Sequence, residues 1–123
     1  MLDTSILINL LRERTRPVGL IRELIMRGAV LATSQVNIAE VYGGMRRGEE
    51  PATGELISGL ECLPLSLEIG RKAGTIIAER RKMGRTHSLD DMMIAATAIE
   101  YGYTLLTDNR KNFEIPEIDL FPA

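Results

Sequence analysis

Tryptophan is missing from this chain of 123 residues, cysteine and histidine occur once each, and the aromatic set is two phenylalanines and three tyrosines. Each scarcity excludes something. Cys62 alone cannot close an internal disulfide, so the chain suits a reducing compartment and is expected to be cytoplasmic. Lying in the short apolar stretch from Leu60 to Leu65, Cys62 is expected as a buried structural thiol rather than a nucleophile. With His87 as the sole histidine, neither a Ser-His-Asp triad nor a two-histidine ribonuclease mechanism has support, and His87 reads as a loop residue. No run approaches the roughly 18 apolar residues of a membrane span, and no leader is expected ahead of Asp3. A net charge of −2 excludes tight, indiscriminate binding of polyanions over the whole surface.

What is present is ordinary globular material, 45% apolar and 26% charged, which predicts one domain over residues 1–123. Basic residues gather as Arg12, Arg14 and Arg16, as Arg46 and Arg47, and as Arg80, Arg81, Lys82 and Arg85. Such groups are either solvated helix ends, where cations suit the final turn, or a rim that contacts phosphates.

Helical and strand patterns alternate without linker or repeat. Asp3-Thr4-Ser5 reads as a cap before an apolar helix through Leu11. A second helix starts near Pro17 and stops at Gly28. Val30 to Thr33 forms a strand, and Ser34 caps a helix with Ile38, Val41, Tyr42 and Met45 at helical spacing. A short helix fills Glu49 to Gly59, and Glu61 to Leu65 is a strand. Ser66 opens a long helix to about Met83, Gly84 to His87 is a loop, and Ser88 caps a helix that ends near Gly102. Thr104 to Thr107 and Ile118 to Phe121 complete the strands. The alternation predicts an α/β fold with a mainly parallel sheet covered on both faces. Ligands in such sheets bind off the carboxyl ends of the strands. Gly43-Gly44 inside a helix costs about 1 kcal/mol per glycine relative to alanine, which suggests close backbone packing there.

Four acids fall where that crevice is expected: Asp3 and Asp108 just after strands, Glu40 and Asp91 on helices entering from the same side. Gathered carboxylates repel one another unless a cation holds them, and an all-oxygen set favours Mg²⁺ or Mn²⁺ over zinc. Each acid also has a bland account. Asp3 can cap its helix, Glu40 can be an exposed helix residue off the apolar stripe, and Ser88-Leu89-Asp90-Asp91 fits a capping box. Asp108 can begin the turn Thr107-Asp108-Asn109-Arg110. Joint placement favours chemistry on a phosphodiester.

The runs Leu2-Asp3-Thr4-Ser5, Ile38-Ala39-Glu40-Val41-Tyr42-Gly43, Asp91-Met92-Met93-Ile94-Ala95-Ala96 and Leu105-Leu106-Thr107-Asp108-Asn109 with Phe113 resemble, in order and spacing, the PIN-domain family. The likeness is specifically to the VapC-type toxin ribonucleases of toxin–antitoxin pairs. The resemblance implies a three-layer α/β/α fold with about four to five strands and a Mg²⁺- or Mn²⁺-dependent endoribonuclease. It implies a small antitoxin that blocks the acidic pocket, and usually a homodimer, for which Pro17 to Gly28 and Glu49 to Gly59 are candidate surfaces. Carried over residue by residue, Asp3, Glu40, Asp91 and Asp108 are the catalytic and metal-holding acids, with Asp90 a helix-start charge. The family's fourth acid often stands two residues after the threonine, where this chain has Asn109, so Asp108 or Asn109 fills that place. Thr4, Ser5 and Thr107 are available to orient water or a ligand. Only Met1 and Leu2 precede Asp3, against about 5–6 residues in a usual strand, so the first strand is expected as a stub. With so few aromatics, RNA would be recognised by shape and phosphate position rather than by stacked bases. A phosphoacceptor receiver domain lacks its acidic pair here, and a catalytically inactive PIN-like binding module is the alternative reading.

Overall fold

The stub before Asp3 proves to be the seam of the sheet. The computed structural model describes residues 1–12 and 15–121, with the backbone alone for 15–17. Its helices are α1 (Thr4–Leu11), α2 (Thr15–Met26), α3 (Gln35–Gly43), α4 (Glu50–Ser58), α5 (Leu67–Lys82) and α6 (Leu89–Tyr101). Its strands are β1 (Ala32–Ser34), β2 (Glu61–Leu63), β3 (Leu105–Leu106) and β4 (Leu120–Phe121). Strands β1 and β2 pair in parallel, as do β3 and β4. Leu2 joins the two pairs: its N–H donates to Ala32 O at 2.7 Å, and it bridges Leu106 in parallel. The N–H of Leu106 donates to Met1 O at 2.9 Å, and that of Asp3 to Leu106 O at 2.9 Å. Two residues therefore suffice for a buried central strand, because neighbours on both sides satisfy their backbone groups.

Side chains alternate across this seam as a pleat requires. Met1, Ala32 and Leu105 enter one core with Ile69, Met92 and Phe113 from α5, α6 and the 3₁₀ turn Arg110–Phe113. Leu2 and Leu106 enter the opposite core with Ile6, Leu7, Ile21 and Val41 from α1, α2 and α3. The result is the expected three-layer α/β/α arrangement. The parallel strands end on one side, which places Asp3, Ser34 and Thr107 at one rim.

Several expectations are corrected. Cys62 is exposed, because β2 pairs with β1 on one side only and Leu63 alone of its residues is buried. Val30 lies before β1 and is 60% exposed, while Ser34 both ends that strand and caps α3. Helix α3 stops at Gly43, so Met45 lies beyond it, and a Cβ on Gly43 would meet nothing within 4 Å. Close packing is not the reason for the glycine pair. The side chains of Arg14, Arg16 and Pro17 lie outside the described residues. Ser66 caps α5 as expected, its Oγ accepting from Ile69 N–H at 3.2 Å. Ser66→Ala should cost about 1 kcal/mol in urea unfolding; an unchanged midpoint would show that the cap is replaced by water.

Candidate functional site

Asp3 stands at the N-cap position of α1, yet its side chain makes no capping bond. Burial does the opposite of what capping would: the carboxylate is turned inward and only 4% exposed. Its Oδ2 accepts from Thr107 Oγ1 at 2.6 Å, and its Oδ1 from Asn37 Nδ2 at 3.0 Å. Thr107 Oγ1 in turn accepts from Asn109 N–H at 2.9 Å. These bonds hold the oxygens still, but burial prevails, and the carboxyl is pushed above its ordinary value; Asp108 adds to the rise by charge repulsion.

Glu40 is not the exposed helix residue that its position off the stripe allowed. It is half-buried, and its Oε1 accepts from Thr4 Oγ1 at 2.6 Å. The bond is completed behind it, where Thr4 Oγ1 accepts from Asn37 Nδ2 at 3.0 Å. Burial raises Glu40 first, and the neighbouring Asp90 raises it further. Asp90 is held below the usual range, first by the Ser88 hydroxyl and then by Glu40. The two carboxyls lie within hydrogen-bonding reach, which raises Glu40 and lowers Asp90. Asp90 is thus more than a helix-start charge. Asp91 is half-buried in the first turn of α6, its N–H capped by Ser88 Oγ at 3.4 Å. Burial raises it, with repulsion from Asp90 and Asp3 adding to the rise and His87 opposing it.

Three of the four expected acids thus share one neighbourhood. Asp108 lies at the rim, near enough to raise Asp3 by repulsion: it is exposed, and its Oδ2 accepts from Asn9 Nδ2 at 2.7 Å while its N–H donates to Ser5 Oγ at 3.1 Å. Asn109 turns its backbone, not its amide, toward Thr107. Sequence reasoning missed Asn37, which is fully buried and binds both Asp3 and Thr4. Its carbonyl accepts from Ser34 Oγ at 2.6 Å, and Ser34 Oγ accepts from Asn37 N–H at 3.1 Å. The available signal was Ser34-x-x-Asn37-x-x-Glu40, which places three polar side chains along one helix face.

Among the described residues no basic side chain lies within ion-pair distance of Asp3, Glu40, Asp90 or Asp91. Nor do three Asp, Glu, His or Cys side chains among them close into a ready-made metal cage. Carboxylate oxygens oriented by neutral donors, with no basic side chain against them among the described residues, suit a hard divalent ion that keeps several of its waters. The pH behaviour follows. For Asp3, Glu40 and Asp91 the folded pKa lies above the unfolded one, so their favourable contribution is full below the ordinary carboxylate range and is lost as pH rises through the raised values. Asp90 acts in the opposite sense, and so does the buried Met1 amine, which desolvation lowers to about 6. Because a bound cation needs these carboxyls ionised, the rise in melting temperature on adding millimolar Mg²⁺ should grow as pH rises through their raised values. Calorimetry showing the same Mg²⁺ gain at every pH would mean that the acids ionise freely without the metal.

Comparison with known proteins finds relatives along nearly the whole chain. A family model described as PIN domain matches residues 1–118. The chain is 32% identical to "Ribonuclease VapC" of Rickettsia bellii, over 98% of this chain and 92% of that protein. It is 31% identical to "Ribonuclease VapC19" of Mycobacterium tuberculosis, over 92% and 90%. Among solved structures it superimposes on a chain of VapBC2 from Rickettsia felis, a complex bound to a DNA fragment from its promoter. The TM-score is 0.83, with 27% identity, 98% of this chain covered and 95% of that one.

Proposed function

This chain belongs to the PIN-domain family, of VapC type, and from that premise we propose that it is a Mg²⁺- or Mn²⁺-dependent endoribonuclease, the toxin of a toxin–antitoxin pair. The observation that carries the reading is the arrangement of Asp3, Glu40 and Asp91: raised by burial, braced by Thr107, Thr4 and Asn37, and, among the described residues, without a basic side chain at ion-pair distance. Relatives named ribonucleases over nearly their whole length support the substrate class. We take the chain as one PIN domain acting in the cytoplasm; no helix among the described residues is long and apolar enough to cross a membrane.

Asp3, Glu40 and Asp91 would hold the ion, with Asp108 reaching it from the rim through water. Bound there, a divalent ion lowers the pKa of a water and offsets charge on the scissile phosphate. The protein's share is positional. Thr107 and Asn37 fix both oxygens of Asp3, and Thr4 fixes one of Glu40. Glu40, raised by burial and by Asp90, is the acid whose ionised form a nearby cation would favour most. No side chain need act as a covalent nucleophile. Exposed Ile25 and Met26 at the end of α2 supply an apolar surface that a second copy or the antitoxin would cover. The test is cleavage of structured RNA by purified protein with Mg²⁺ or Mn²⁺ against the same reaction in EDTA. Cutting that persists in EDTA would sink the metal reading, and protein inert in both would favour the binding module.

A further inference from the structure

The geometry points to a phosphate-binding subsite on the loop between α5 and α6, formed by Arg81, Lys82 and Arg85, that grips the RNA strand beside the scissile phosphate. The inference rests on the ribonuclease reading and deepens it. Helix α5 ends in a tight reversal. Gly84, at φ +74°, lets the chain turn back: its N–H donates to Arg81 O at 3.0 Å, and Arg85 N–H reaches back to Arg80 O at 2.9 Å. In such a helix stop, the residue in Arg85's place is commonly apolar and packs back onto the helix. Here it is an exposed arginine. Arg80, its partner in the motif, takes the inward place instead: it is 7% exposed and its guanidinium lies 3.6 Å from Glu117. Arg80 is thereby removed from the basic rim expected from sequence, and Arg81, Lys82 and Arg85 are left facing solvent.

From these three cations the chain leads directly to the acids at the start of α6. Ser88, which caps α6, is three residues past Arg85, a span of at most about 11 Å, and Asp90 and Asp91 lie in the first turn that follows. Among the described residues none of the three has an acidic side chain within ion-pair distance. His87, between them and the cap, keeps its Nε2 enclosed and without a hydrogen-bond partner, so the loop's polar groups are not fully met by its own fold. A ligand that suits this surface carries evenly spaced anions, one over the acids where a divalent ion screens it and the next over the arginines. A phosphodiester strand does both. An acidic peptide would bring carboxylates against carboxylates.

The experiment measures binding of a fluorescently labelled single-stranded RNA by anisotropy, in an Asp91→Asn background that prevents cutting, with Mg²⁺ present and salt varied. Removing one cation that neutralises a phosphate should reduce the slope of log K against log salt by about 0.7. Arg81→Ala/Lys82→Ala/Arg85→Ala together should flatten it by about 2 and weaken binding at every salt concentration, while Arg85→Lys retains the slope. Arg71→Ala serves as the control, since that guanidinium pairs with Glu68, roughly 15 Å along the same helix. An unchanged slope in the triple variant, with wild type still cutting, overturns this inference alone. Loss of affinity for a copurified protein partner, with the RNA slope intact, also overturns it and assigns the loop to that partner. Wild type that neither cuts nor binds RNA overturns the ribonuclease reading, and this inference with it.

Discussion

Asp91→Asn is expected to lower kcat/KM for metal-dependent RNA cleavage by a factor on the order of 10²–10³ or more without destabilising the metal-free fold. The kinetic part follows from what a carboxylate contributes to holding the ion: several kcal/mol of charge stabilisation in the transition state, at about 1.4 kcal/mol per tenfold. The stability part follows from the sign of the shift. Asp91 is raised by burial and by the charges of Asp90 and Asp3, so ionising it at neutral pH strains the fold. Asparagine keeps the shape and removes the charge, and the backbone cap from Ser88 Oγ to residue 91 is untouched. Single-turnover cleavage and thermal melting in EDTA check the two halves. Retained cleavage with a lowered melting point would reverse the assignment and make Asp91 a structural helix acid.

Asn37→Ala should weaken Mg²⁺ binding about 10–100-fold, as removing groups that orient ligands does, and cost about 1–3 kcal/mol of stability through orphaned buried groups. Asn37 is fully buried and makes contacts no neighbour duplicates. Its Nδ2 serves Asp3 Oδ1 and Thr4 Oγ1, and its Oδ1 takes the Ser34 hydroxyl. Truncation leaves Asp3 held by Thr107 alone among side chains, and leaves Thr4 free to turn from Glu40. Asn37→Asp separates bracing from packing: size and cap survive, but a further carboxylate faces Asp3. That variant should be the less stable without metal and should recover most when Mg²⁺ is added. Calorimetric titration and urea unfolding decide it. Wild-type metal affinity in Asn37→Ala would show that Thr107 alone suffices to hold Asp3.

Helix starts were legible because the signals are local. Ser34, Ser66 and Ser88 each cap the helix that the apolar period behind them predicts. The parallel, doubly covered sheet was legible too, since short apolar runs alternate with helical ones. The family resemblance, carried by four ordered acidic runs, agrees with the comparisons. Boundaries were less so: β1 begins two residues later than expected and the 3₁₀ turn at Arg110 was missed, because a two- or three-residue element is set by its neighbours rather than by its own period.

Sequence by itself therefore determined the layers, the capped helices and the rim from which the acids project. Tertiary structure alone decided which polar groups meet. Asp3 finds Thr107 across 104 positions and Asn37 across 34, contacts that depend on Leu2 pairing with Leu106 in one register. The same packing turned Asp108 toward Asn9, drew Asp90 to Glu40, exposed Cys62 at a sheet edge and buried Arg80 against Glu117. Period and capping act over a few residues of chain, whereas burial and carboxylate pairing act through space. Only the folded arrangement could fix the latter.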